Sequence, residues 1–306
     1  MNAELELKDH KNMSEQERIN LIMQDWFVLY PRAIKILDKL EMLLNLPDTI
    51  RPPSFLLVGE PNNGKTSLAY YFLSQHESYE EPDGLKIPAL LVQAPSKPKF
   101  DTFLTSLLTV MGIPFRHTEP ESEKYQKVIY YAQALEVKLL FVDEIHNILS
   151  GTTARQREFM NGLKNLVNDL KRPVVLIGTK DALYAVNTDY QIQSRFRPEV
   201  LPLWNYDEEY LALLNALESV LPLKKESRIA QNEKLSRKIL EYSEGKLGEI
   251  VSLVRELAIL AIRTGREKID LELLREVDWT PPSVRTDIGR NLEKMIGPVR
   301  KETAEK

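Results

Sequence analysis

Four short, nearly unbroken apolar runs punctuate the first part of the chain, at 55–58, 88–92, 139–142 and 174–177. Continuous hydrophobicity over four or five residues suits parallel strands covered on both faces, because a sheet with one wet face alternates instead. Between the runs, apolar residues recur every three or four positions. This spacing predicts helices over about 65–76, 100–111, 122–135 and 154–171, with Asp101 and Ser122 as starts for the middle two. Strand and helix in alternation imply βαβ units around a parallel sheet. A fifth strand is predicted near 199–203, after Ser194-Arg195-Phe196-Arg197-Pro198.

Upstream, Ile22, Trp26, Leu29, Ile34, Leu37, Leu40 and Leu43 give a helical lead-in, interrupted at Pro31 and preceded by a polar, frayed stretch over 1–16. From Tyr206 onward the strand pattern ends. One helical stripe runs through Tyr210, Leu214, Leu217 and Leu221, and another through Ile250, Leu253, Val254, Leu257, Ala258 and Ala261. The expected organisation is a helical extension over 1–50, an α/β domain over 51–205, an all-helical domain over 206–279 and a tail over 280–306. In the tail, Val284, Ile288, Leu292 and Ile296 recur every four residues, so it forms a helix on a partner, or else a solvated tail or a helix on its own domain.

Composition narrows the chemistry. The 306 residues contain no cysteine, which excludes disulfides, iron–sulfur clusters and thiol nucleophiles. The four histidines, His10, His76, His117 and His146, are too dispersed to suggest a metal cluster. No apolar run approaches the roughly 18 residues of a membrane span, and the charged N-terminus lacks a secretory apolar core, so no membrane association and a cytoplasmic setting are expected. With 41 basic against 45 acidic residues, any nucleic-acid contact must come from a local basic lining.

Gly59-Glu60-Pro61-Asn62-Asn63-Gly64-Lys65-Thr66, followed by Ser67, fits G-x-x-x-x-G-K-[ST] between a buried-strand pattern and a helix pattern. Its glycines let backbone approach a phosphate, the helix N-terminus aims free N–H groups at anionic oxygens, and Lys65 adds a full charge. Thr66 is the expected Mg2+ ligand and ATP the expected nucleotide. Farther on, 139–142 deliver Asp143 and Glu144 to a strand's C-terminal end, the edge where open α/β sheets bind ligands. Asp143 would hold Mg2+ through water and Glu144 would polarise the attacking water. His146, two residues on, reads as a local packing or hydrogen-bonding residue. Thr179 ends the 174–177 strand, where its hydroxyl would meet the γ-phosphate or its water, or else serve as a strand cap. Arg195, and after it Arg197, are candidates for a finger reaching a neighbouring subunit's nucleotide; the alternative is a surface pair flanking a buried Phe196.

In that order, these elements resemble the AAA+ ATPases over roughly 20–278, and within them the transposition regulators TniB and TnsC, related to IstB. The likeness is carried by Trp26 with Tyr30-Pro31-Arg32-Ala33, Arg51-Pro52-Pro53, the P-loop with its Asn62-Asn63, and the stretch Asp143-Glu144-Ile145-His146-Asn147-Ile148-Leu149-Ser150-Gly151-Thr152. It continues through 165–173 into Gly178-Thr179 and through 196–204. The resemblance implies an AAA+ fold with a five-stranded parallel sheet and a small helical lid. It also implies an ATP-dependent ring or helical filament on duplex DNA that recruits or activates a DDE transposase, in some cases through a target-selection adaptor such as a CRISPR-associated one. Lys97 and Lys99 carry over as DNA contacts, with Arg116 a possible third; Arg155 and Arg157 read better as a solvated helix face. One departure is that Gly245-Lys246-Leu247-Gly248-Glu249 offers no arginine where AAA+ lids often carry one. Two alternatives remain at this point: a loader acting on single-stranded DNA or a protein ring, and a nucleotide-binding scaffold with little turnover.

Overall fold

The computed structural model describes residues 12–24, 26–47, 49–186 and 190–287. The tail positions Ile288, Leu292 and Ile296 and the stretch 1–11 lie outside the described residues. Internal contacts divide the chain into two compact units, residues 26–202 and residues 12–24 with 203–287. The expected extension over 1–50 is thus shared: its first helix, α1 (Glu15–Met23), goes with the helical unit and its second with the sheet unit.

The first unit begins with α2 (Pro31–Leu44), where Pro31 takes the first helical position and its fixed φ favours the helix. It continues through β1 (Ser54–Gly59), α3 (Lys65–Gln75), β2 (Tyr79–Glu81), β3 (Gly84–Lys86), β4 (Ala89–Gln93), α4 (Phe100–Val110) and α5 (Glu121–Ala134). Then come β5 (Leu139–Asp143), a 3₁₀ turn (Ile145–Ser150), α6 (Thr153–Leu170), β6 (Val174–Gly178), α7 (Ala182–Val186), α8 (Tyr190–Arg195) and β7 (Phe196–Leu201). Five strands form one parallel sheet in the order β4-β5-β6-β1-β7. β1, β5 and β6 are buried along their whole length, as their unbroken apolar runs require. On one side, Phe100 and Phe103 of α4 meet Phe159 of α6 edge to face, with ring centroids 5.9 and 5.5 Å apart.

Three local expectations are corrected. The fifth strand starts at Phe196, so Arg197 and Pro198 lie inside it; β7 is an edge strand, a position where a sheet tolerates proline, and buried Phe196 is its first residue. α4 starts at Phe100, and Asp101 sits in its first turn as the ion-pair partner of buried Lys124 at 2.7 Å. α5 starts at Glu121, behind Pro120. The antiparallel hairpin β2–β3 was not anticipated.

The second unit contains α1, α9 (Glu208–Ser219), α10 (Glu233–Ser243), α11 (Leu247–Arg263) and α12 (Leu271–Glu276). A reciprocal capping box between Ser14 and Glu17 opens α1. Arg18 is 1% exposed and binds Glu267 through both guanidinium ends, at 2.7 and 2.9 Å, and donates to the Pro222 carbonyl at 3.1 Å. That fork fastens α1 beside α11. The beginning of the tail folds back on the same unit: Trp279 Nε1 donates to Tyr242 O at 3.0 Å, Ser283 N–H donates to Glu244 Oε1 at 2.8 Å, and Arg285 pairs with Glu249. Through residue 287, the tail therefore contacts its own unit rather than standing free.

Candidate nucleotide site

β1 ends at Gly59 and α3 begins at Lys65, so residues 60–64 wrap the helix N-terminus at the sheet's C-terminal edge. Gly64 caps α3 in the left-handed region at φ 80°, which a side chain would resist. A Cβ at position 59 would stand 2.9 Å from the Leu201 carbonyl oxygen, so only glycine lets the loop run against the end of β7. Asn63, 3% exposed, fixes the loop there: its Nδ2 donates to Leu201 O at 2.9 Å and to Pro202 O at 3.1 Å. Glu60, Pro61, Asn62 and Ser67 are exposed or half-buried around this anchored core.

Lys65 is folded into the loop, its ammonium donating to Gly59 O at 2.9 Å and Glu60 O at 2.8 Å. Burial lowers its pKa, while the carboxylates of Glu144, Asp143 and Glu60 oppose that shift, Glu144 most strongly. Thr66 Oγ1 donates to Asp143 Oδ2 at 2.7 Å. Two hard oxygen donors 77 residues apart in sequence are thereby brought together. Asp143 is 1% exposed, and its Oδ1 accepts the Glu144 N–H at 2.8 Å. Glu144 itself is in the left-handed region at φ 56°, which turns the chain from β5 into the 3₁₀ turn. Its Oε2 lies 3.1 Å from His146 Nε2, and His146 Nδ1 accepts the Thr179 N–H at 3.4 Å.

The residues fit a magnesium nucleotide. The Thr179 hydroxyl is buried and has no hydrogen-bond partner among the described residues, an orphan in want of a polar ligand. Among the described residues no group of three or more Asp, Glu or His could hold a metal; the hard oxygen donors brought together here are Thr66 Oγ1 and Asp143 Oδ2, the donor types Mg2+ takes beside phosphate oxygens.

Arg195 and Arg197 lie at the opposite edge of the sheet. β7 pairs with β1 from Ser54↔Phe196 to Gly59↔Leu201, so Arg195 sits about 17 Å of strand away from its own P-loop. With Arg51, Lys164, Asn168 and Ile192 it lines a cavity of 410 Å³. Its Nη1 is buried without a partner among the described residues, and burial together with Arg51 lowers its pKa. Arg197 is exposed on β7.

Lys97 and Lys99 are exposed on a tight turn closed by Lys99 N–H to Lys97 O at 2.7 Å. That turn is clamped to the segment after Glu144. Ala94 N–H donates to Asp143 O at 2.8 Å, Ser150 Oγ donates to Ser96 O at 2.6 Å, and a Cβ at Gly151 would stand 2.3 Å from Pro98. The Cβ of Arg155, in the first turn of α6, lies 3.7 Å from a Cβ built on the same glycine, and the residue is exposed. Arg116 lies beyond the far end of α4, an 11-residue helix about 16 Å long.

Residues 18–206 match the sequence model of the bacterial TniB protein, which is more than half of the chain. The chain belongs to the TniB family. No curated protein matches it. Among solved structures it is similar to the Aeropyrum pernix ORC1 protein in complex with DNA, at 16% identity and TM-score 0.59, covering 91% of this chain and 71% of that one. Cdc6p from Pyrobaculum aerophilum gives 17% identity and TM-score 0.57, covering 83% and 69%. The Walker-type ATPase PABY2304 of Pyrococcus abyssi gives 13% and 0.56, covering 88% and 75%. At such identities the likeness is one of fold, and the fold of this TniB-family chain is that of the AAA+ ATPases. Sequence reading missed the partners of His146 and the anchoring by Asn63. The Asn62-Asn63 pair inside the P-loop, at positions where any residue satisfies the motif, was the available signal for the second.

No helix among the described residues is long and apolar enough to cross a membrane.

Proposed function

We propose that this TniB-family protein is an ATP-dependent regulator of transposition that assembles on duplex DNA and recruits or activates a DDE transposase, directly or through a target-selection adaptor. The observation that carries the ATPase part is the Thr66–Asp143 contact at 2.7 Å beside Lys65 and Glu144, a full set of phosphate-, metal- and water-handling groups on one sheet edge. Glu144 favours turnover over a passive scaffold, because binding alone needs no water-polarising acid. Family membership supports the role in transposition.

In this reading the backbone N–H groups of 60–64 and Lys65 bind the phosphates, and Thr66 with Asp143 holds Mg2+. Held there, Mg2+ would supply charge neutralisation to the phosphates. Glu144 orients water and takes its proton, and the free Thr179 hydroxyl reads the γ-phosphate. Arg195, with its unpaired Nη1 on the far edge, serves a neighbour's nucleotide in a head-to-tail ring or filament, since its own P-loop is a strand length away. Lys97 and Lys99, extended by Arg155, face DNA phosphates; Arg116 is a separate contact.

The test is binding of labelled random-sequence duplex with ATP, a slowly hydrolysed analogue, ADP or no nucleotide, with single-stranded competitor present. Steep binding to duplex with triphosphate alone is expected. Nucleotide-independent binding or preference for single strands would overturn the reading in favour of a loader.

A further inference from the structure

His146 occupies a place that packing alone does not explain. It follows the acid by two residues, and the left-handed backbone of Glu144 folds the ring back toward that acid. Its two nitrogens then face different parts of the site. Nδ1 accepts the backbone N–H of Thr179, so the proton of the neutral ring resides on Nε2, and Nε2 lies 3.1 Å from Glu144 Oε2. The ring packs in van der Waals contact with the glycine at the end of β6. Position 178 is glycine, and a Cβ there would stand 3.4 Å from His146 Nδ1, 3.1 Å from Ile145 Cγ2 and 2.7 Å from Ala182 Cβ. The contact joins the end of β5, which carries the acid, to the end of β6, which carries the unpartnered Thr179 hydroxyl.

We propose that His146 is a positioning residue for hydrolysis: its Nε2 edge, 3.1 Å from Glu144 Oε2, steadies that carboxylate by electrostatic contact, and its Nδ1 ties the acid's neighbourhood to the end of the strand that carries Thr179. Movement of Thr179 toward a phosphate is thereby conveyed to the acid through one imidazole. The inference rests on Glu144 being the group that polarises water. In that role its direction matters, because a small displacement of a reacting group costs large factors in rate.

Two measurements test it. In the nucleotide-free protein, ¹⁵N spectra of labelled histidine are expected to show His146 as the Nε2–H tautomer, with a proton shift that changes in Glu144→Gln. In turnover with duplex DNA present, His146→Ala is expected to lower kcat by about 10- to 100-fold while affinity for fluorescent ATP stays within about twofold. His146→Gln, which retains an N–H near the Nε2 position, restores most of the rate. An Nδ1–H tautomer, wild-type turnover in His146→Ala, a parallel loss of nucleotide affinity, or a Gln variant no better than Ala would each overturn the proposal. Full turnover in Glu144→Gln would instead overturn the assignment of the acid. A dead Glu144→Gln beside an unimpaired His146→Ala would remove only the role of His146.

Discussion

Replacing Asn63 tests how the P-loop is held. Its buried amide spans two carbonyls, Leu201 O at 2.9 Å and Pro202 O at 3.1 Å. In Asn63→Ala two hydrogen bonds of about 1 kcal/mol each disappear, and the buried Leu201 oxygen loses this donor. The expected loss is about 2–3 kcal/mol, felt locally around residues 55–75. Asn63→Asp keeps the shape but sets a carboxylate against two carbonyl oxygens in a buried place, so at neutral pH it should be worse than alanine. The sign with pH follows. Burial and acceptor neighbours raise the folded-state pKa of an aspartate there above its unfolded value, so the damage is full at high pH and is relieved as pH falls through the raised value, when the carboxyl becomes a donor. Hydrogen exchange on peptides covering 55–75 reads this directly, because 2 kcal/mol corresponds to about a 30-fold faster opening. An aspartate variant that at pH 7.5 protects these amides as well as wild type, or better than alanine, would refute the reasoning.

Lys65→Ala should abolish binding of fluorescent ATP, whereas Glu144→Gln should keep binding, lower turnover by about 10² or more and lengthen residence on DNA; normal turnover in both would sink the catalytic assignment. Arg195→Ala should retain ATP binding but lose turnover, and mixing it with Glu144→Gln should restore part of the rate through mixed interfaces. Failure to complement in subunit-exchange assays would argue against action in trans. Arg18→Met should destabilise the helical unit by about 3 kcal/mol, because the buried Glu267 carboxylate loses its bidentate partner and keeps only Lys224, whose Nζ is 3.9 Å away, and Arg18→Met with Glu267→Leu should recover most of it in urea titrations. The Arg18 partnership holds the Glu267 pKa below its ordinary value, so its stabilisation is complete above about pH 4.3 and should fade in acid melts below that.

The sheet and the nucleotide loop were legible because their signals are local. Five adjacent residues decide a buried strand such as Val174–Gly178, and eight decide the P-loop. The hairpin β2–β3 escaped because nearly all of its residues are exposed, leaving no apolar alternation; Pro82-Asp83-Gly84 was its one turn signal. Long-range partnerships left no such trace. Arg18 meets Glu267 across 249 residues, Asn63 meets Leu201 across 138, and His146 meets Thr179 across 33. In each case the residue type advertises a polar group without saying what satisfies it. Arg195 was readable as a charge, but its distance from its own P-loop emerged only from the register of β7 on β1.

The clamp between the Lys97–Lys99 turn and the segment after Glu144 bears on how this protein can evolve. Ser150, Gly151 and Pro98 join the Lys97–Lys99 turn to the segment that follows Glu144. Under the proposed function, grip on DNA and the clock that ends it are not independent traits. A lineage that alters one lysine-bearing turn to suit a new target also resets its dwell time, unless a compensating change at Ser150 or Gly151 loosens the joint. Engineering a longer-lived assembly is then better begun at that joint than at the lysines themselves.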